Sequence, residues 1–302
     1  LSEEKIAGFR GLVNKLWNIS RFILSYGQDF EEGKINEEYT SADRWIMDKT
    51  RTLIFEVTSD LDNYRFSAAG EKLRDFTWND LADWYLEASK FEHNLKKKEI
   101  ISQISEDLLK LWHPFIPFVT EAIWKSLGRE NLLMVAEWPK GDTYPAYHKN
   151  KEETFDIVKE IIISIRNARA ENKVEPSRKI KAVIYAGEEA EILKSEEILI
   201  KSLRTGVGEL EIKEQGEKID DAIFIAIGKI EIYLIGARDE EKDALRVRKE
   251  IEKLEKLVAS QKAKLENEEF VGKAPPRIID NEKEKLSQWS AELDKLKSQL
   301  GQ

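Results

Sequence analysis

Residues 244–300 place their apolar side chains in alternating steps of three and four, a pattern that few folds satisfy. Ala244, Val247, Ile251, Leu254, Val258, Gln261 and Leu265 form one series; Ile279, Glu282, Leu286, Trp289, Leu293, Leu296 and Leu300 form a second. Such spacing keeps one narrow stripe on the same side of a helix, the a/d seam of a coiled coil. The stretch between them, Glu268 to Pro276, holds Gly272 and Pro275-Pro276, and proline cannot continue a helix interior. Two seams joined by so short a turn fold back as an antiparallel hairpin. A helix of ~25 residues reaches ~38 Å at ~1.5 Å per residue, so this segment is an arm and not a globule. Gln261 and Glu282 are polar seam positions. They set the register, or they specify pairing with another coiled coil.

The preceding residues follow other periods. Helical spacing of apolar residues predicts helices over 2–26, 41–63, 66–95 with a break near Gly70 to Thr77, 98–127 with a kink or break at His113-Pro114 and Pro117, and 148–172. A polar loop occupies 27–40, and 128–147 is irregular. Seven of the 8 Trp precede residue 139, which places a large aromatic core in this part. From 177 to 236 the pattern is that of strands: Lys179–Tyr185, a short strand at Leu210 and Ile212, and the β-branched runs Ala222–Ile227 and Ile230–Ile235 split by Gly228-Lys229 as a hairpin. A helix is expected over 188–203. The fold class is therefore mainly α: an antiparallel helix bundle (1–143), a connecting helix with a small α+β domain (144–236), and an antiparallel coiled-coil hairpin (237–302).

Composition removes several classes of function. The chain has no cysteine, so disulfides, thiolate metal sites and cysteine nucleophiles are excluded. No apolar run is long enough to span a membrane, and the expected compartment is the cytoplasm. The first residues, Leu-Ser-Glu-Glu, lack both a methionine and a signal pattern, and read as a boundary inside a longer chain. The formal net charge is −9, which argues mildly against nucleic acid. Phosphate contacts, however, act locally, over a Debye length of ~8 Å at physiological salt. The arm alone carries 15 Lys+Arg against 15 Asp+Glu.

Several strings resemble class I aminoacyl-tRNA synthetases of the valyl, isoleucyl and leucyl group. Leu111-Trp-His-Pro-Phe-Ile-Pro-Phe118, followed by Thr120-Glu121 and Ile123-Trp124, resembles a signature of their anticodon-binding bundle. Asn14-Lys-Leu-Trp-Asn-Ile-Ser-Arg-Phe22, Asp43-Arg-Trp-Ile46, Phe76-Thr-Trp78 and Asp83-Trp-Tyr-Leu-Glu87 resemble its other helices. Ile165-Arg-Asn-Ala-Arg-Ala-Glu171 with Pro176-Ser177, and Leu265-Glu-Asn-Glu-Glu-Phe-Val-Gly-Lys-Ala-Pro-Pro276, resemble the junction and the arm turn of the valyl members. The isoleucyl enzyme usually ends in a cysteine zinc module, and this chain has no cysteine. The HIGH and KMSKS signatures of class I catalysis are absent from the sequence. The resemblance implies a tRNA-binding portion without catalysis of its own or a cofactor of its own. ATP with magnesium, and the catalytic and editing domains, belong to the remainder of such an enzyme, which is expected to be a monomer acting on valine tRNA. A freestanding RNA-binding or chaperone-like protein, a coiled-coil protein-interaction module and an isoleucyl or leucyl enzyme stay open beside it.

Candidate contacts follow from residue type. In the bundle they are Asn18, Arg21, Arg44, Trp45, Lys49 and Arg51; an aromatic beside a guanidinium suits stacking on an unpaired base, while packing on the bundle explains Trp45 as well. Arg166, Arg169, Arg178 and Lys179 bracket a Pro-Ser loop and suit phosphates, or form a solvated basic face. On the arm, Lys249, Lys253, Lys256, Lys262, Lys264, Lys273 and Arg277 suit phosphates too, although surface ion pairs account for many such charges. His113 reads as a core histidine, Trp17, Trp84, Trp112 and Trp124 as core packing, and Asp83 as a buried acceptor.

Overall fold

The computed structural model describes residues 3–26, 39–92, 95–145, 153–237, 240–266 and 276–299. The expected arm turn with Lys273, seam residue Leu300, most of the polar loop and the start of the fifth helix lie outside these residues. The protein is mostly helical and has one small mixed sheet.

Helix α1 (Glu3–Ser25) packs on α5 (Leu95–Trp112), α6 (Pro117–Ser126) and a π-helical stretch. Helix α2 (Ser41–Asp62) opens on a capping box. Thr40 Oγ1 accepts from the Asp43 amide at 3.2 Å, and Asp43 Oδ2 accepts from the Thr40 amide at 3.0 Å. The cap satisfies two end donors reciprocally. Helix α3 (Phe66–Asp75) does not break where glycine and threonine suggested. It runs through the π-helical Phe76–Tyr85 into α4 (Leu86–Ser89). Thr77 explains this: its hydroxyl donates back to the Leu73 carbonyl at 2.6 Å and accepts from Trp112 Nε1 at 3.0 Å. A side chain bonded into the helical ladder loosens the turn.

The expected break between α5 and α6 falls at His113–Ile116, and Pro117 becomes the first residue of α6, where its missing N–H costs nothing. His113 Nδ1 lies 2.8 Å from Thr120 Oγ1, a structural pairing. Asp83 is not the buried acceptor expected. Its side chain is 51% exposed and holds Lys15 at 2.8 Å.

Helix α7 (Glu153–Glu171) is packed on more than one side. Phe155, Val158, Ile161, Ile162 and Ile165 are all fully buried. Near its start it meets α2, and further along it meets the sheet and α9 (Glu197–Ser202). The sheet has the order β2-β1-β4-β3. Strand β1 (Ile180–Tyr185) pairs parallel with β2 (Val207–Lys213) and antiparallel with β4 (Ile230–Ile235), which pairs antiparallel with β3 (Ala222–Ile227). The β3–β4 hairpin turns at Gly228, φ +56, a value glycine adopts without strain. The expected helix over 188–203 divides into α8 (Ala190–Ser195) and α9, and makes the crossover that a parallel pair requires. The helices and one face of the sheet share a contiguous apolar core.

Helices α10 (Glu240–Glu266) and α11 (Pro276–Gln299) pair through Ile251, Leu254, Val258 and Leu293, with Leu286 and Trp289 beside them. Glu255 reaches Lys297 at 2.6 Å, whereas the later Lys264 reaches the earlier Glu282 at 3.1 Å. The two helices therefore run antiparallel.

The polar hub of the helical part is Asp43. Its carboxylate receives Lys97 Nζ and the Tyr85 hydroxyl, each at 2.7 Å, and Lys97 also reaches Glu92 at 2.6 Å. Asp43, Tyr85 and Lys97 are all fully buried. Removing one partner of a buried ion pair leaves an uncompensated charge, at a cost of ~3–5 kcal/mol. Lys97→Met should therefore lower the unfolding free energy by about that amount in urea; a loss below ~1 kcal/mol would show that water solvates the hub.

Candidate nucleic-acid interface

Helix α1 buries Leu12, Leu16 and Ile19 and turns the opposite stripe outward. Arg10, Asn14, Trp17, Asn18 and Arg21 are exposed at helical spacing. Asn18 and Arg21 line a shallow surface depression with Phe22, Leu24 and Ser25. Trp17 is 43% exposed, so its expected place in the core is corrected. On the flank of this stripe, half-buried Lys15 sits 4.8 Å above the ring of Trp78, which is 38% exposed. Amide, guanidinium and half-open indole side chains together suit unstacked bases, which offer both edges and faces. Arg10, Asn14 and Trp17 were missed by the sequence reading. The signal was the complement of the apolar stripe, displaced by one residue from Leu16.

The α2 candidates lie elsewhere. Trp45 is 2% exposed; its ring lies 4.9 Å from Phe155 of α7 and its Nε1 donates to Asp156 at 3.0 Å. Extracting a core tryptophan costs ~3–5 kcal/mol, and stacking on a base returns only ~1–3. The stacking role expected of Trp45 is therefore corrected to core packing. Lys49 is exposed, 6.0 Å above the Trp45 ring. Arg44 is half-buried, as is Arg51, which faces Phe55 at 5.7 Å and Asp142 at 3.9 Å. Arg51 thus faces the 141–143 turn, and Lys49 lies within electrostatic reach of Asp80 in the π-helical stretch.

At the junction, Arg166 donates to the Leu203 carbonyl through Nε at 3.0 Å and Nη2 at 2.5 Å. Arg169 donates from Nη2 to the carbonyls of Glu175 at 2.9 Å and Arg178 at 3.0 Å. Arg169 is 6% exposed, so direct phosphate contact by its side chain is corrected to an internal role. Burial, and then the nearby charge of Arg204 for Arg166 and of Arg178 for Arg169, holds both guanidinium groups below their ordinary range. Arg178 is half-buried and Lys179 exposed.

On the arm, Lys253 and Lys262 are exposed. Lys256 pairs with Glu252 at 2.7 Å, and Lys264 with Glu282. Lys249 and Arg277 lie in α10 and α11, with side chains outside the described residues. Gln261 is 7% exposed. Its amide donates to the Glu282 carbonyl at 3.2 Å and to the Glu282 carboxylate, so the two polar seam positions satisfy each other within one chain.

Two family matches fall on this frame. Residues 43–184 match the anticodon-binding domain of tRNA ligases, and residues 239–302 match the valyl-tRNA synthetase tRNA binding arm. Valine–tRNA ligases are similar along nearly the whole chain: that of Geobacter sulfurreducens is 36% identical, with 99% of this chain and 36% of the relative covered. The Syntrophotalea carbinolica enzyme is 34% identical, covering 99% and 35%, and the Dehalococcoides mccartyi enzyme 31%, covering 99% and 36%. The chain belongs to the valyl-tRNA synthetase family. It corresponds to the C-terminal region and spans about a third of the length of the curated relatives it matches. The first family match begins at the capping residue Asp43 and ends inside β1, so it takes in α7. The second covers the α10–α11 pair of this valyl-tRNA synthetase region.

The seam predicts a measurable titration. Gln261, and after it Lys264, hold the Glu282 carboxyl down to about 2. A carboxyl lowered in the folded state stabilises it above the unfolded value, ~4.3, and loses that contribution as pH falls toward the folded one. Carboxyl NMR should place the Glu282 midpoint more than one pH unit below ~4.3. A midpoint at the ordinary value would mean that Gln261 and Glu282 are not paired.

Proposed function

We propose that this chain is the tRNA-binding part of a valine–tRNA ligase. In this reading residues 1–143 form the anticodon-binding bundle, 144–236 a connecting helix with a small α+β domain, and 237–302 a coiled-coil arm. The bundle reads the anticodon region of valine tRNA, and the arm holds the outer corner of the L-shaped molecule. The remainder of the ligase, with its catalytic and editing domains, attaches valine to the 3′ adenosine using ATP and magnesium. The enzyme works as a cytoplasmic monomer.

One observation carries the reading: an anticodon-binding match and a tRNA-binding-arm match stand in one chain, in that order. The geometry supports it. The exposed stripe Arg10, Asn14, Trp17, Asn18 and Arg21 offers stacking and edge hydrogen bonds to unpaired bases. Arg44, Lys49 and Arg51 supply positive charge on α2. Lys253 and Lys262 offer charge to phosphates along the arm, together with Lys249, Lys256, Lys264, Lys273 and Arg277. Holding a tRNA at two remote places directs binding energy into positioning its 3′ end. The arm's seam supports its use as a rigid lever, because Gln261 and Glu282 are paired with each other and leave no polar register signal for a second coiled coil.

Binding of this chain to valine tRNA, isoleucine tRNA and an anticodon-altered valine tRNA, at several salt concentrations, tests the proposal. The expected result is preference for valine tRNA, lost on altering the anticodon, with log K falling linearly against log salt. Trp17→Ala with Arg21→Ala should abolish that preference and leave the arm's contribution. Equal binding of all three tRNAs by the unaltered chain would contradict anticodon reading.

A further inference from the structure

Two loops converge on one buried side chain at the junction. Arg169 holds the 175–178 loop through the Glu175 and Arg178 carbonyls. Its guanidinium also lies against Gly206, φ +67, where an added Cβ would stand 2.7 Å from Arg169 Cζ. The Gly206 carbonyl accepts from the Ile180 amide at 3.1 Å, which closes the second loop on the first strand. One helical turn earlier, Arg166 holds the Leu203 carbonyl. Two arginines of α7, three residues apart, thus pin both loops to one place.

What the loops display there, apart from the exposed Glu175, is positive charge. Lys173, Lys179 and Arg204 are exposed and Arg178 half-buried. Among the described residues, no ion pair is made by Lys173, Lys179 or Arg204. This stands out in a chain of net charge −9 that pairs many of its other lysines. Lys173 and Arg204 also hold left-handed backbones, φ 52 and 56. Side chains bearing a Cβ adopt that conformation uncommonly, and such strain concentrates where function requires it. Finally, Nη1 of Arg169 is buried with no partner among the described residues. Closed off from solvent, it adds to the local positive potential without offering a bond to RNA.

Resting on the tRNA-binding reading above, we propose that this junction is a third RNA contact, a phosphodiester-binding patch formed by Lys173, Arg178, Lys179 and Arg204. Arg166 and Arg169 are its positioning residues: they fix the two loops and raise the local positive potential without touching RNA. The patch grips backbone and carries no base specificity, because its groups are cations that match phosphate oxygens. It lies between the anticodon bundle and the arm in the chain, and so holds the tRNA between its two outer contacts.

The test uses the whole chain and a valine tRNA transcript, with association constants measured across a salt series. Each phosphate contact contributes ~0.7–0.9 to the slope of log K against log salt. The triple variant Lys173→Gln, Lys179→Gln, Arg204→Gln should lower that slope by about 2 and leave the ratio of valine-tRNA to anticodon-altered-tRNA affinity unchanged. The charge-keeping triple Lys173→Arg, Lys179→Arg, Arg204→Lys should retain the slope. Unaltered binding and slope in the first variant, its thermal unfolding being normal, overturns the patch and assigns its charge to an acidic protein surface. Absence of tRNA binding by the unaltered chain overturns the tRNA reading itself, and the patch with it.

Discussion

Helix α7 is held at both of its ends, and the geometry of the larger part of the molecule follows from that. At its start Phe155 packs on Trp45 and Asp156 accepts the indole N–H, which joins it to α2. Toward its end Arg166 and Arg169 grip the backbone of the loops around the sheet. A fully buried aromatic side chain removes ~150–250 Å² from water, worth ~4–6 kcal/mol as an upper estimate at ~25 cal/mol per Å². The guanidinium bonds add direction, because a fork of N–H donors fixes angle as well as distance. Helical part and sheet therefore share one contiguous core. Any RNA surface on one is placed with respect to surfaces on the other.

Charge has been partitioned in the same frame. The buried hub of Asp43, Lys97 and Glu92 uses its charges internally, and so does the seam with Gln261 and Glu282. Excess positive charge is left on local surfaces: the α1 stripe, the junction loops and parts of α10. A net charge of −9 is compatible with RNA binding under this partition, since distant carboxylates are screened at physiological salt while phosphate contacts act at short range. The overall acidity then discourages indiscriminate binding.

Periodicity made most of the helices and the seam of the α10–α11 pair readable from the residues alone. The β3–β4 hairpin was equally legible, because a glycine between two β-branched runs has few other uses. The break at the prolines was too, since their chemistry is local. The continuation of α3 through the π stretch was not. It depends on Thr77 meeting Trp112, a contact between residues far apart in sequence. The roles of Trp17 and Asp83 were misread for the same reason, and the choice left open at Trp45 was decided by Phe155 and Asp156. Residue type says what a side chain can do, and its helical phase against a distant neighbour decides whether it faces core or solvent. Arg166 and Arg169 were recognised as a basic cluster. That they bind carbonyls of their own chain required the loops they hold.

The central proposal is that one chain grips a single tRNA at separate places along its length. Hydroxyl-radical footprinting of valine tRNA bound to this chain tests it most directly. The account predicts protection of the anticodon loop and of the outer corner in the same complex, both lost together as salt is raised. Protection confined to one of these places, or spread evenly over the backbone, would contradict it.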